Sequence, residues 1–303
     1  MAAPLMSKEL IVIAGPTAVG KTALSIEIAK KLNTEIISAD SRQIYKELKI
    51  GTAVPSAEEL AQVKHHFIQT ISIHDYYNAS KYEDDVNLLL GELFLQHDHV
   101  ILCGGSGLYI DAVCKGIDFL PEIDPEIRKR IQQQYNNEGI ESLLEDLLKL
   151  DPASFNKIDL DNPKRIQKAL EISIITGKPY SSFLSSPEKK RIYKIKKIII
   201  DMNREDLYER INSRVFRMIQ NGLVDEARNL YPLRKINALN TVGYKELFQY
   251  FERNISLDEA VTKIQSNSRN YARKQLTWFR KDKDAAWFHP SEFGKIMNMI
   301  RNS

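Results

Sequence analysis

The stretch ELIVIAGPTAVGKTALSIEIAKKL (9–32) constrains the fold more than any other part of the chain. An apolar run leads into Gly15-x4-Gly20-Lys21-Thr22, and the residues that follow read as a helix. Strand, glycine loop and helix in this order form the context in which G-x-x-x-x-G-K-[ST] grips phosphate. The glycines let backbone N–H groups point inward at phosphate oxygens, and the helix adds the positive end of its dipole. Lys21 reaches terminal phosphate oxygens, and the Thr22 hydroxyl is placed to ligate Mg²⁺. Gly15, Pro16, Thr17, Ala18, Val19, Gly20, Lys21 and Thr22 are therefore expected to hold phosphate. The motif specifies phosphate binding and leaves the reaction open.

Three more strands are expected. NTEIISAD (33–40) stops at Asp40, HDHVILCGGSGLY (97–109) carries glycines at its carboxyl end, and KIKKIIIDM (194–202) is the fourth. Between them, residues 80–96 place Val86, Leu89, Leu90, Leu93 and Phe94 on one helical stripe. Strands alternating with helices predict a doubly wound parallel sheet. Ligands of such sheets sit outside the carboxyl ends of the strands. Gly15, Asp40 and Gly104 to Gly107 are expected there, facing one cleft. Residues 121–190 hold three helical patterns and no strand candidate, and the chain after residue 202 is helical again. The expected fold is thus α/β: a P-loop NTPase-like parallel sheet flanked by helices, in a core domain of 1–120 and 191–303, with an all-helical insertion at 121–190.

Net charge is +3, and its distribution says more than its size. KKRIYKIKK (189–197) has six positive charges and no negative one, and RNYARKQLTWFRK (269–281) interleaves five with aromatics. One such run reads as a solvated face. Two beside a phosphate loop strengthen the case for an anionic polymer as partner. Cys103 and Cys114 are the only cysteines, too few for a disulfide framework and without zinc spacing, which suits a reducing cytoplasm. No apolar run is long enough to span a bilayer, and MAAPLMSKEL lacks the charged and apolar regions of a secretory signal.

Nucleotide hydrolysis is disfavoured. A P-loop ATPase usually ends an apolar strand in an Asp that holds Mg²⁺ through water, but VILCGGSG ends in glycines and serine. The acid instead ends the second strand, in SADSRQIYK (38–46). Three roles are open to Asp40: Mg²⁺ binding through water, general base, or the helix N-cap common at such junctions. Its place one strand from the loop favours chemistry. His65 and His66 lack metal-pair spacing and read as packing or hydrogen-bonding residues, and Cys103 reads as a small core residue. Trp278 and Phe279 suit core anchoring better than base stacking, because aromatic side chains mainly supply buried area.

Nine segments together resemble the tRNA dimethylallyltransferase, or tRNA isopentenyltransferase, family. They are GPTAVGKT (15–22), DSRQIYK (40–46), GTAVPS (51–56), HHFI (65–68), GGSGLYI (104–110), NPKRIQKALEI (162–172), NGLVDEA (221–227), NTVGYKEL (240–247) and RNYARKQLTWFRK (269–281), in the family's order. The resemblance implies transfer of a dimethylallyl group from dimethylallyl diphosphate to the N6 amine of the adenosine just 3′ of the tRNA anticodon, with diphosphate released. It implies Mg²⁺ as cofactor, Asp40 as base, Thr22 as Mg²⁺ ligand and Arg214 as the arginine covering the leaving group, with Arg217 one turn on as competitor. Its tRNA contacts would be Asp40, Ser41, Arg42, Gln43, Ser106, Arg128, Lys164, Arg165, Ile166, Gln167, Lys168, Asn240, Thr241, Val242, Gly243, Tyr244 and Lys245. The adenosine would leave its stack to enter the cleft, as base-modifying enzymes require. The absence of a Cys/His pair after residue 282 suggests a bacterial-type member, which is expected to be cytoplasmic and is read as a monomer. An adenylate-modifying relative would not need the insertion. A small-molecule kinase sits badly with Asp40 and GGSGLY, and a non-catalytic RNA-binding module with an intact phosphate loop.

Overall fold

The computed structural model describes residues 8–118, 120–121, 124–184 and 189–302. It forms two compact units, one of 1–115 with 190–303 and one of 116–189. The larger begins with β1 (Glu9–Ala14), α1 (Lys21–Leu32), β2 (Ile36–Ala39), α2 (Ala57–Gln62), β3 (His65–His66), α3 (Ala79–Gln96), β4 (His99–Gly104) and α4 (Gly107–Lys115). The smaller holds α5 (Pro125–Glu138), α6 (Ile140–Leu150), α7 (Pro152–Phe155) and α8 (Pro163–Thr176). The larger resumes with β5 (Lys194–Ile200), α9 (Arg204–Gln220), α10 (Leu223–Leu230), α11 (Tyr244–Phe251), α12 (Leu257–Phe279), β6 (Ala286–Phe288) and α13 (Phe293–Arg301).

The six strands make one parallel sheet in the order β3-β2-β4-β1-β5-β6. Every residue of β1 is buried, yet its side chains still sort by the two-residue period of a strand. Leu10, Val12 and Ala14 join the cluster that holds Tyr82, Val86, Leu90, Leu93 and Phe94 of α3. Ile11 and Ile13 join the cluster of Leu24, Ile26, Ile28 and Ala29 from α1. Leu89 of the expected stripe is only partly buried. A third cluster packs Ile44, Tyr45 and Leu48, just after Asp40, against α9 to α12. The C-terminal helices therefore support the segment that follows the acid.

Two strands escape the sequence reading, β3 and β6, of two and three residues. The third expected strand ends at Gly104, and Gly107–Lys115 is helix, because Ser106 turns the chain and its carbonyl accepts from the Tyr109 and Ile110 amides. His65 and His66 make β3, with hydrogen bonds to the Val63 carbonyl and the Glu35 carboxylate. Half of the basic run 189–197 is engaged internally: Arg191 pairs with Glu83, Lys196 with Glu9, and Lys197 with Asp282. That half is not available to a polymer partner. In the smaller unit Ile131, Leu143, Leu147, Ile166, Ala169 and Leu170 form the core. Among the described residues no helix is long and apolar enough to cross a membrane.

Candidate active site

The register of the sheet levels three strand ends. Ala14 pairs with Gly104, and Gly104 with Ala39, so Gly15, Gly105 and Asp40 each stand one residue past the same rung. β1 and β4 are also where the strand order reverses, the crevice where open α/β sheets bind ligands. Because β4 stands between β2 and β1, Asp40 lies two strands from the phosphate loop and not one, about 10 Å at the spacing of neighbouring strands. Gly15 has φ +152°, and a β-carbon there would run into the Ile200 carbonyl of β5, so only glycine lets the loop leave β1.

In the loop, Lys21 Nζ donates to the Gly15 carbonyl at 2.9 Å and the Pro16 carbonyl at 2.7 Å. From α9, Arg210 donates to the Val19 carbonyl at 3.3 Å and Arg214 to Thr17 Oγ1 at 3.2 Å. Arg217, by contrast, is exposed. Burial pulls the Lys21 ammonium down to about 8; Cys103 and Asp40 oppose the shift and Arg214 adds to it. Asp40 and Arg214 thus act electrostatically on the same lysine. A proton must be restored to Lys21 whenever a phosphate ligand meets its neutral form. Affinity for inorganic diphosphate should therefore hold up to about pH 8 and fall above it, by up to about tenfold per pH unit. Calorimetric titration from pH 7 to 9.5 reads this, and Lys21→Met should bind weakly without that decline. A wild-type affinity unchanged at pH 9.5 would remove Lys21 from phosphate binding.

Asp40 Oδ1 accepts from the Arg42 amide at 2.9 Å and the Gln43 amide at 3.2 Å. It caps a turn and not an α-helix, since none starts there. Among the described residues no hydrogen bond reaches its other oxygen. Ser106 Oγ accepts from the Ser41 amide at 3.0 Å and is only 8% exposed, so its hydroxyl braces the acid's turn. Tyr271 of α12 stands near the acid, where desolvation, with the Asp40 charge adding, pushes its phenol up to about 12. Gln43 Nε2 donates to the Thr52 and Ala53 carbonyls at 3.1 and 3.0 Å, and Arg42 reaches the Asn237 carbonyl at 3.4 Å.

The remaining expected RNA contacts divide by exposure. Lys164 and Arg165 project from α8 into solvent, Gln167 reaches Gln132, and Lys168 is half-buried, which lowers its pKa. Ile166 is completely buried in the core of its unit, so its side chain cannot meet a ligand. Arg128 donates to Glu171 at 3.1 Å. Asn240 and Lys245 are exposed, and Thr241 and Val242 half-buried. Gly243 is buried, and Tyr244, 0% exposed, donates its hydroxyl to Glu226 at 2.6 Å, so neither offers a side chain to RNA. A cavity of about 560 Å³ opens beside them, lined by Val242, Lys245, Asn270, Tyr271, Arg273 and Lys274 among others. Trp278 Nε1 donates to Asp111 at 2.8 Å, and Phe279 is buried, which makes both core anchors.

Two residues went unnoticed in the sequence. Glu226 accepts the amides of Lys49, Ile50 and Gly51 at 3.2, 2.8 and 2.9 Å and so pins the loop that Gln43 also holds. Gln275 bonds both the phosphate loop and the turn after β4. Its signal was present: it falls on the buried stripe Ala272, Gln275, Phe279 of α12, a polar residue at a core position.

Fold and site together define a P-loop protein whose phosphate loop faces an acid on the next strand but one, with a basic helix alongside. Residues 43–282 match the family described as IPP transferase. The chain is 51% identical to tRNA dimethylallyltransferase 1 of Phocaeicola vulgatus over 98% of its own length and 99% of the relative's. It is 52% identical to the tRNA dimethylallyltransferase of Christiangramia forsetii, over 96% of each chain. The solved full-length tRNA isopentenylpyrophosphate transferase of Bacillus halodurans is 36% identical and superposes with a TM-score of 0.71, covering 97% of this chain and 95% of that one. The chain belongs to the IPP transferase family, whose members named here are tRNA dimethylallyltransferases and a tRNA isopentenylpyrophosphate transferase.

Proposed function

We propose that this protein transfers the dimethylallyl group of dimethylallyl diphosphate to the N6 amine of the adenosine 3′-adjacent to a tRNA anticodon, releasing diphosphate. The observation that carries the reading is the level placement of Gly15, Gly105 and Asp40 in one crevice. An anion grip and a proton acceptor then face a common space. The amine lone pair bonds to C1 of the prenyl group while the C1–O bond breaks and its electron pair leaves on diphosphate. The N6 proton passes to the Asp40 carboxylate, which matters because an adenine amine is a poor nucleophile. Lys21, the amides of the loop and Arg214 cover the charge that grows on diphosphate. ATP-type phosphate transfer is not needed for this chemistry, and the loop serves the isoprenoid donor.

Mg²⁺ fits this site. Among the described residues no group of three or more acidic, histidine or cysteine side chains could hold a metal alone. The half-exposed Thr22 hydroxyl at the start of α1 makes no hydrogen bond among them. A single protein oxygen beside a diphosphate is the setting in which Mg²⁺ is shared with phosphate oxygens and water. When bound, the ion would supply further neutralisation of the leaving group. RNA contacts would come from the exposed Lys164, Arg165, Asn240 and Lys245, with Ser41, Arg42 and Gln43 at the cleft, and from Arg128 and Lys168 in the helical unit. Sequence-specific RNA reading targets unpaired loops whose bases can be splayed, and an anticodon loop offers them. The protein is proposed to act as a cytoplasmic monomer.

The test is a transfer assay with Mg²⁺, labelled dimethylallyl diphosphate and either unmodified tRNA or AMP. Label is expected in tRNA at the adenosine following the anticodon. Label in AMP alone would replace the reading by one with a free nucleotide as acceptor, and label in neither would sink it.

A further inference from the structure

Gln275 lies about one turn from the C-terminal end of α12, 6% exposed among charged neighbours in the sequence. Its carboxamide joins two loops that are far apart in the chain. Oε1 accepts from the Thr17 amide at 2.9 Å, and Nε2 donates to the Gly105 carbonyl at 2.8 Å. The fit is tight, since a β-carbon on Gly105 would collide with Gln275 Nε2. Only a side chain of this length with an acceptor and a donor on one planar group can satisfy both partners.

Each end of the bridge continues into the proposed chemistry. On the loop side, Thr17 Oγ1 accepts from Arg214. On the other, Gly105 leads to Ser106, whose hydroxyl holds the Ser41 amide beside Asp40. An unbroken line of hydrogen bonds and adjacent residues thus runs Arg214–Thr17–Gln275–Gly105–Ser106–Ser41–Asp40. It connects the cation over the leaving group with the base at the nucleophile. The bridge also takes the Thr17 amide out of phosphate binding, and Pro16 has none to give. Between Gly15 and Ala18, therefore, no loop amide is left for diphosphate.

We infer that Gln275 is a positioning residue that sets the spacing between the donor's diphosphate and the acceptor's base, and that it couples occupancy of the phosphate loop to the order of the Asp40 turn. Prenyl transfer needs nucleophile, carbon and leaving oxygen held in line, and a misplacement of about 1 Å costs on the order of 10²-fold in rate. Breaking the bridge leaves both loops in place, each on its own strand, but frees them to shift against one another. The kinetic part of this inference rests on the reaction proposed above; the coupling part does not.

The experiment compares wild type with Gln275→Met, which keeps length and bulk, and Gln275→Glu, which keeps only the acceptor. Hydrogen exchange at residues 41–43 is measured with and without inorganic diphosphate, and steady-state transfer to tRNA is measured in parallel. Wild type should show added protection of those amides on binding diphosphate, and Gln275→Met should lose it. In transfer, kcat of Gln275→Met should fall about 10²-fold while KM for dimethylallyl diphosphate stays within about threefold, a split that a merely weakened loop would not produce. Full protection in Gln275→Met, or kcat within threefold of wild type, would overturn the inference. If the Gln275 variants do not fold, Ser106→Ala breaks the next link and should lose the same protection; retained protection would again overturn it. A wild type that couples but does not prenylate tRNA would leave the bridge standing and remove the proposed reaction.

Discussion

Asp40→Ala is expected to lower kcat for prenyl transfer to tRNA by about 10³–10⁴-fold, at the upper end of what a positioned general base contributes. At the level strand ends β2 contributes a carboxylate, Asp40, while β1 and β4 continue into Gly15 and Gly105. The same carboxylate also caps its own turn through the Arg42 and Gln43 amides, so alanine removes two things at once. Asn separates them: the amide oxygen of Asp40→Asn can still accept both N–H bonds but cannot take a proton. Asp40→Asn is therefore expected to bind the anticodon stem-loop within about threefold of wild type and to remain about 10³-fold slow. If Asp40→Asn recovered near wild-type kcat, the acid would be a turn cap and the proton would leave by another route.

The second large effect concerns the leaving group. Arg214→Ala is expected to cost about 10²–10³ in kcat, the range seen when one preorganised donor to a developing charge is removed. Its guanidinium reaches into the loop at Thr17 Oγ1 and is desolvated there, which strengthens any interaction it makes with diphosphate. Arg214→Lys keeps the charge and loses the planar fork, so it should recover only part of the rate. Arg217→Ala, on the exposed side of the same helix, should stay within about threefold of wild type, as surface charges away from a site usually do. Single-turnover rates at saturating donor would read these values without product release. Equal losses at Arg214 and Arg217 would mean that the tertiary placement of α9 does not select between them.

Much of this site was legible in the chain because its parts are local. Residues 9–32 form strand, loop and helix from neighbouring residues alone, and the proposed phosphate grip would draw on their own backbone amides. Asp40 could be placed at a strand end because the apolar run before it stops there. Arg214 was reached through resemblance, and α9 then put it, and not Arg217, against the loop. Tyr244 and Ile166 show the opposite case. Both lie in motif stretches that look like contact segments, yet burial makes one a brace for Glu226 and the other a core residue. β3 and β6 carry too few residues for a periodic pattern and exist only because β2 and β5 offer them an edge.

By itself, then, the sequence determined the elements whose causes lie within a few residues: the buried strand, the glycine loop, the stripe of α3, the helical segment between the third and fourth strands it predicted, and the chemistry those residue types permit. The tertiary structure decided the register that levels Gly15, Asp40 and Gly105. It decided which of two arginines turns inward, and which polar side chains became internal ties. Gln275 meets Thr17 across 258 positions of chain and Gly105 across 170, and Glu226 meets Gly51 across 175. A buried polar group must find a partner wherever packing brings one, and no local pattern specifies a partner so far along the chain.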